Sequence, residues 1–354
     1  LEFDPDIFRG KTMLLPCDDP DWSNFTKFFA LNFKTLGLKK LISTSYAPNS
    51  NVAVSNFSPT LFELESPDYD ETKSAERGRL FTLEGRDANG DGVINIEDLQ
   101  WEYLHGDGDF RSAEVTALRD EADFVITNPP FSLFKEFIPW LAAGGVRFSV
   151  IGNMNAITYK EVFVLIRANQ LWLGPTINSG DREFRVPENY PLTAVGQRVD
   201  EAGQKFVRVK GVRWFTNIEH GRRHEPLQLM TMADNLKFSN NKVIQSIGYP
   251  EYVNFGAIDV PAALTTPSDY DGIMGVPITF LDKYNPDQFE IIGNSDDMDM
   301  TREIGVRPLG RDFIQAYRGR GGTGHYSPGM RMLGVMEPEP RTVYKRILIR
   351  RKDA

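Results

Sequence analysis

The feature that most limits the fold is an alternation, through the first half of the chain, of short apolar runs with segments of helical period. "KTMLLPC" (Lys11–Cys17), "KKLISTSY" (Lys39–Tyr46), "DFVIT" (Asp123–Thr127) and "VRFSVIG" (Val146–Gly152) read as strands. Between the first two, Phe25, Phe28, Phe29, Phe33 and Leu36 share one helical face, with Ser23 as N-cap and Gly37 as stop. Further helices are expected from near Ser112 to Ala122, over Phe131–Leu141 with a kink at Pro139, and over Lys160–Asn169. Strands separated by helices need crossover connections, so the expectation is an α/β fold with a doubly wound, mostly parallel sheet. "DFVIT" is apolar enough to lie at its centre.

From Asn178 the pattern changes to β-rich segments with many turn residues, such as "VRVKGVRWFTNI" (Val207–Ile218). The expected organisation is a first domain over residues 1–218, carrying an acidic insertion at about 49–105, and a less regular β-rich region over 219–354. The insertion opens with a polar, proline-containing excursion, Asn49 to Ser74.

Composition narrows the function classes. An apolar fraction of 41% in 354 residues supplies real cores, and the single cysteine, Cys17, rules out an internal disulfide. No apolar run is long enough to cross a bilayer, so a soluble, cytoplasmic protein is expected. The net charge of −9 argues against indiscriminate binding of a polyanion. Its distribution says more: Phe62–Phe124 holds 18 acidic and 6 basic residues, whereas Arg198–Arg223 holds seven basic and three acidic and Arg311–Lys352 ten and three. A polyanion met on one side only suits this asymmetry, although any single run also reads as an ordinary solvated face.

"NPPF", Asn128–Phe131, follows the central strand, where doubly wound sheets place their ligands. Two prolines fix the backbone and remove two N–H donors, leaving carbonyl acceptors in a stiff turn, and Asn128 adds a side-chain acceptor. Such a pair suits an NH2 group. Accepting both hydrogens of a nucleobase amine favours a pyramidal nitrogen with its lone pair free for an electrophile, which stabilises the transition state more than the ground state. Phe131 is placed to stack on the ring.

Asn-Pro-Pro-Phe at a strand end resembles the catalytic motif of amino-methyltransferases. With it, "CDDPDWSNFTKFFALNFKTLGLKKLIST", "GDGDFRSAEVTALRDEADFVITNPPFSLF", "IGNMNAITYKE", "GVRWFTNIEHGRRHEPL" and "DYDGIMGVPITFLDKYNPDQFEIIG" look like the EcoRI-type family of adenine-specific DNA methyltransferases. The resemblance implies a Rossmann-like methyltransferase sheet with a target-recognition region after it. It implies S-adenosylmethionine as methyl donor, double-stranded DNA as partner, and a monomer acting on one strand at a time in a restriction-modification or phage system. Asn128, Pro129, Pro130 and Phe131 match the catalytic residues. Asp109 and Phe110 match an Asp-Phe pair that holds the cofactor's adenine, though "GDGDF" also reads as a plain glycine-rich loop. The family's usual glycine-rich loop after the first strand is replaced by "DDPDWSNF", so Asp18 or Asp19 is expected at the cofactor's ammonium with Asn24 and Phe25 nearby. The usual ribose-binding acid after the second strand is missing at Thr44–Tyr46. Trp214 and Phe215 could wall the pocket of a flipped base or serve the core; Arg222, Arg223, Arg318 and Arg320 are candidates for DNA contact.

"DANGDGVINIED", Asp87–Asp98, fits a calcium-loop template through Asp87, Asn89, Asp91, Gly92, Asn95 and Asp98, and also an ordinary surface turn. A structural calcium ion is therefore one expectation. Two other functions stay open at this level: methylation of RNA adenine or protein glutamine, and a catalytically silent DNA- or calcium-binding module.

Overall fold

The computed structural model describes residues 2–20, 23–47, 73, 76–177, 182–186, 196–323 and 329–352. The excursion Asn49–Ser74 lies, apart from Lys73, outside the described residues, as do Asp21 and Trp22. The chain divides into two compact units, Leu1–Ala156 with Ser179–Glu219, and Ile157–Asn178 with His220–Ala354.

The first unit is built on strands β1 (Thr12–Leu15), β2 (Lys40–Ser45), β3 (Arg79–Leu83), β4 (Gln100–Tyr103), β5 (Phe124–Thr127), β6 (Arg147–Asn153) and β7 (Val212–Thr216), ordered β4-β3-β2-β1-β5-β6-β7. The four strands from β2 to β6 run parallel. β3 is antiparallel to β2, β4 to β3, and β7 to β6. Every residue of β1 and β5 is buried, as their apolar sequences require of strands covered on both faces. Asp123 registers the two: its carboxylate accepts from the Thr12 N–H at 2.9 Å and the Lys11 ammonium at 3.1 Å.

The helices follow their sequence signals. Helix α1 (Asn24–Leu31) is capped by Ser23, whose hydroxyl accepts from the Phe25 and Thr26 N–H groups. A short helical turn then ends on Gly37 at φ 65°, where a left-handed residue closes it. Helices α2 (Ala113–Glu121) and α3 (Phe134–Ala143) flank β5, and α3 carries Pro139 in its interior. Phe29, Phe33, Met13, Leu15, Phe81 and Phe124 form one apolar core. Each fully buried Phe there contributes on the order of 1.5–3 kcal/mol.

The acidic insertion departs from expectation. Its residues Arg79–Leu83 and Gln100–Tyr103 are strands of the central sheet and extend it beyond β2. Alternating burial in "RLFTL" and an edge strand as polar as "QWEY" leave little apolar signal, because only one face or none is covered.

The second unit holds a four-stranded sheet, in order Ala257–Asp259, Ile273–Pro277, Arg346–Arg351 and Phe289–Asn294. Asp259, 1% exposed, accepts from Arg346 at 2.8 Å and from the Tyr252 hydroxyl at 2.9 Å. Among the described residues no helix is long and apolar enough to cross a membrane.

Candidate active site

β5 is buried to its last residue, Thr127, and the chain surfaces immediately after it: Asn128, Pro130 and Phe131 are exposed and Pro129 is buried. The Pro130 carbonyl accepts from the Leu133 N–H at 3.0 Å, closing a helical turn that leads into α3. That helix is locked in place behind the motif. Phe134 meets Phe215 edge-on at 5.0 Å, and both rings press on Gly152, where a Cβ would lie 2.5 Å from Phe134 and 2.9 Å from Phe215.

Asp18, just past β1, is 4% exposed. Its carboxylate accepts from the Ser23 hydroxyl at 2.7 Å, from the Thr127 hydroxyl at 2.5 Å and from the Asn128 N–H. Its backbone carbonyl accepts from the hydroxyls of Thr26 and Ser43. One residue thus ties together the ends of β1, β2 and β5 and the cap of α1. Burial pushes the Asp18 carboxyl up to about 6, against the pull of those hydrogen bonds. Burial likewise raises the neighbouring Cys17 thiol far above its usual range.

Asp19 is held differently. Arg79, at the start of β3 and 5% exposed, donates to its carboxylate at 2.6 Å and to the Ser45 hydroxyl at 3.1 Å. The Asp109 loop rests on the end of β2. A Cβ on Gly108, at φ 87°, would stand 2.4 Å from the Ser45 carbonyl oxygen, and one on Gly78 would stand 2.7 Å from Gly108. The Ala47 N–H donates to the Asp107 carbonyl at 2.7 Å. These glycines are therefore dictated by contact, and the loop "GDGDF" is fixed at the carboxyl edge of the sheet.

On that loop, hydrogen bonds from Arg111 at 3.0 and 2.6 Å hold the Asp109 carboxyl below its usual range, and Arg111 also reaches Glu136. Phe110 is 4% exposed, edge-on to Phe137 at 4.9 Å and Trp140 at 5.4 Å. Tyr46, 42% exposed, has its phenol pushed up by partial burial and then by Asp107. Asn24 is exposed at the start of α1, and Phe25 meets half-buried Trp214 edge-on at 5.8 Å. Phe215 is fully buried.

The structure gathers Asp18, Asp19, Asn24, Phe25, Asp109, Phe110 and Asn128–Phe131 in the first unit around the carboxyl ends of β1, β2 and β5. Arg79, Tyr46 and Asp107 join them without having been singled out in the sequence. Only Asp107 carried a local signal, as the first acid of a glycine-spaced pair. In the second unit Arg222 is exposed, whereas Arg223 is 6% exposed, stacked 3.7 Å over Trp172 and bonded to Asn169. Arg318 and Arg320 are exposed, the latter paired with Glu339.

The calcium expectation is not met. The Asp87 carboxylate accepts from the Gly90 and Gly92 N–H groups, Asp91 from Val93, and Asp98 from Ala88 and Asn95. Asn89 accepts from the Asp91 N–H. With the acids turned to backbone donors, no group of three His, Cys, Asp or Glu side chains among the described residues is arranged to hold a metal ion. The segment is a self-capped turn.

A stiff Asn-Pro-Pro-Phe turn beside a rim of acids is the arrangement that comparison with known proteins bears on. The sequence profile of the family described as adenine-specific methyltransferase EcoRI matches residues 1–352. The chain belongs to that family. It is 39% identical over 292 residues to the Type II methyltransferase M.EcoRI of Escherichia coli, covering 82% of this chain and 81% of that one. It is 35% identical over 290 residues to M.MpnI of Mycoplasma pneumoniae (81% and 76%), and 33% identical over 287 residues to M.MgeORF184P of Mycoplasma genitalium (80% and 76%). No solved structure matches. The EcoRI-type chain is an adenine-specific DNA methyltransferase, and membership of the family implies S-adenosylmethionine as its methyl donor.

Proposed function

We propose that the chain methylates N6 of an adenine flipped out of duplex DNA at a specific sequence, as the modification enzyme of a restriction-modification or phage system. The carrying observation is the exposure of Asn128, Pro130 and Phe131 at the end of a strand buried along its whole length. In this reading the Asn128 side-chain oxygen and the Pro129 carbonyl accept the two amino hydrogens, and Phe131, 36% exposed, stacks on the purine. Prolines 129 and 130 keep the acceptors from relaxing when the nitrogen pyramidalises, so the interaction grows toward the transition state. Unpairing and unstacking the base costs a few kcal/mol, which stacking and the amine contacts offset.

The acidic rim suits the methyl donor. Asp19, Asp107, Asp109 and Tyr46 offer acceptors for an ammonium, two ribose hydroxyls and an aromatic amine, and Gly78 and Gly108 leave no side chain over Ser45. When bound, S-adenosylmethionine supplies a methyl group already activated as a sulfonium. Of the two acids expected at its ammonium, Asp18 is buried with both carboxylate oxygens bonded inside the protein, so Asp19, partly exposed and paired with Arg79 through one oxygen, takes that role with Asn24 and Phe25 alongside. Asp109 takes the adenine amine. Phe110, wedged on Phe137 and Trp140, holds that loop in position.

In the same reading residues 1–218 form a doubly wound, Rossmann-like catalytic domain and 219–354 a target-recognition region. Arg222, Arg318 and Arg320 are exposed for phosphate or base contact, Trp214 borders the base pocket, and Phe215 and Arg223 support from within. The protein acts as a cytoplasmic monomer. The test incubates it with S-adenosylmethionine labelled in the methyl group and unmethylated genomic DNA, beside Asn128→Ala, followed by nucleoside mass spectrometry. N6-methyladenine made by the parent alone is expected; no methylated base from a folded, cofactor-binding parent would overturn the reading.

A further inference from the structure

We propose that the small antiparallel sheet of Arg182–Val186, Lys205–Val209 and Gln197–Val199 grips the phosphate backbone of the substrate duplex with one face, through Arg185, Arg198 and Arg208. The proposal rests on the DNA reading above and names a surface for it.

Position comes first. This sheet belongs to the first unit, and its central strand, Lys205–Val209, pairs with both others. It leaves the central sheet at the start of β7, where Val212 stands opposite Asn153 at the carboxyl end of β6. The Met154 N–H donates to the Gly211 carbonyl at 2.6 Å, and the Asn153 amide to the Lys210 carbonyl at 3.0 Å. β6 runs parallel to β5, with Val150 opposite Thr127. The small sheet therefore springs from the same edge that carries Asn128.

Its surface is basic in an acidic chain. None of its strand residues is buried, and they carry Arg182, Arg185, Arg198, Lys205 and Arg208 against the single acid Glu183, in a chain whose net charge is −9. Residues paired directly across strands share a face. The register Glu183↔Arg208, Arg185↔Phe206 and Phe206↔Arg198 thus puts three guanidiniums, one carboxylate and a ring on one side. Arg198 lies 4.3 Å over Phe206 and bonds Glu183 at 2.6 Å, which holds it flat on the sheet. The other face carries Arg182 and Lys205 among Phe184, Val186, Val199, Val207 and Val209.

The partner follows from that chemistry. Guanidiniums spaced along an exposed sheet face match a phosphate backbone, each fork able to give two parallel N–H bonds to one phosphate. Each phosphate neutralised releases counterions, so the contact is visible in the dependence of affinity on salt.

The experiment measures binding of a fluorescein-labelled, mixed-sequence duplex of two to three helical turns over a series of salt concentrations. It compares the parent, Arg185→Gln/Arg208→Gln, and the opposite-face Arg182→Gln/Lys205→Gln. The first double variant leaves the Glu183–Arg198 bridge intact, and its fold is checked by calorimetric S-adenosylmethionine binding. Expected is a fall of about 2 in the slope of log affinity against log salt and roughly tenfold weaker binding, with cofactor affinity unchanged and the opposite-face variant within about twofold of the parent. An unchanged slope in the first variant, or an equal loss in both, overturns the proposal while leaving the function intact. A parent that binds cofactor but no duplex at any salt overturns the DNA reading and this surface with it.

Discussion

Asp18→Asn is the most informative single change. The carboxylate is 4% exposed and burial lifts its pKa from 3.8 to about 6, although Ser23, Thr127 and Asn128 all donate to it. A raised acid pKa means that the native state binds the proton more tightly than the unfolded chain does. Stability is therefore lost as pH rises from about 4 through about 6, and above that the full penalty stands. Two pKa units correspond to about 3 kcal/mol at neutral pH. The amide removes the charge at nearly constant shape, and its oxygen can still accept the Asn128 N–H. The Ser23 and Thr127 hydroxyls bond different carboxylate oxygens, so one keeps donating to the amide oxygen while the other must turn to accept from the NH2. After a loss of ~1 kcal/mol for poorer hydrogen bonds, Asp18→Asn is expected to stabilise the fold by about 1–2 kcal/mol at pH 8 and to confer no advantage at pH 4. Urea unfolding of both proteins at the two pH values, with midpoints compared, decides it. A variant less stable by the same amount at both pH values would refute the reasoning, because the carboxylate would then be held at no electrostatic cost.

Asn128→Ala should lower kcat by about a hundredfold or more, as expected from about 3 kcal/mol for one preorganised polar group, with cofactor affinity unchanged by calorimetry. Gly108→Ala, whose Cβ would meet the Ser45 carbonyl at 2.4 Å, should weaken S-adenosylmethionine binding and lower the melting temperature; wild-type values for both would show that the loop tolerates displacement. Phe134→Ala should cost about 3–5 kcal/mol by opening a cavity against Phe215 and Gly152, read from urea midpoints. Chelator or added calcium should leave the melting temperature alone, since Asp87, Asp91 and Asp98 already cap backbone N–H groups. A shift of several degrees on adding calcium would reopen that loop as a metal site.

What the sequence determined by itself was local. The four parallel strands, the Ser23 cap, the Gly37 stop and the Asn-Pro-Pro-Phe turn each rest on neighbours within a few residues, where burial period and backbone restriction leave a direct trace. The Asn-Pro-Pro-Phe turn was legible for that reason. The tertiary structure decided what depends on distant partners. Asp18 and Asp19 are adjacent and alike in sequence, yet Thr127 and Asn128 claim the first while Arg79 claims the second. Arg79 itself lay in a stretch too charged and too short to declare a strand, and it reaches Asp19 only because β3 pairs with β2. Asp87–Asp98 matched a metal template by spacing, but spacing does not say which way a carboxylate turns. A carboxylate's neighbours in space, and not its neighbours in sequence, set whether it is an anchor, a ligand or a cap, because desolvation and hydrogen bonding act over a few ångströms regardless of how far apart the chain places their sources.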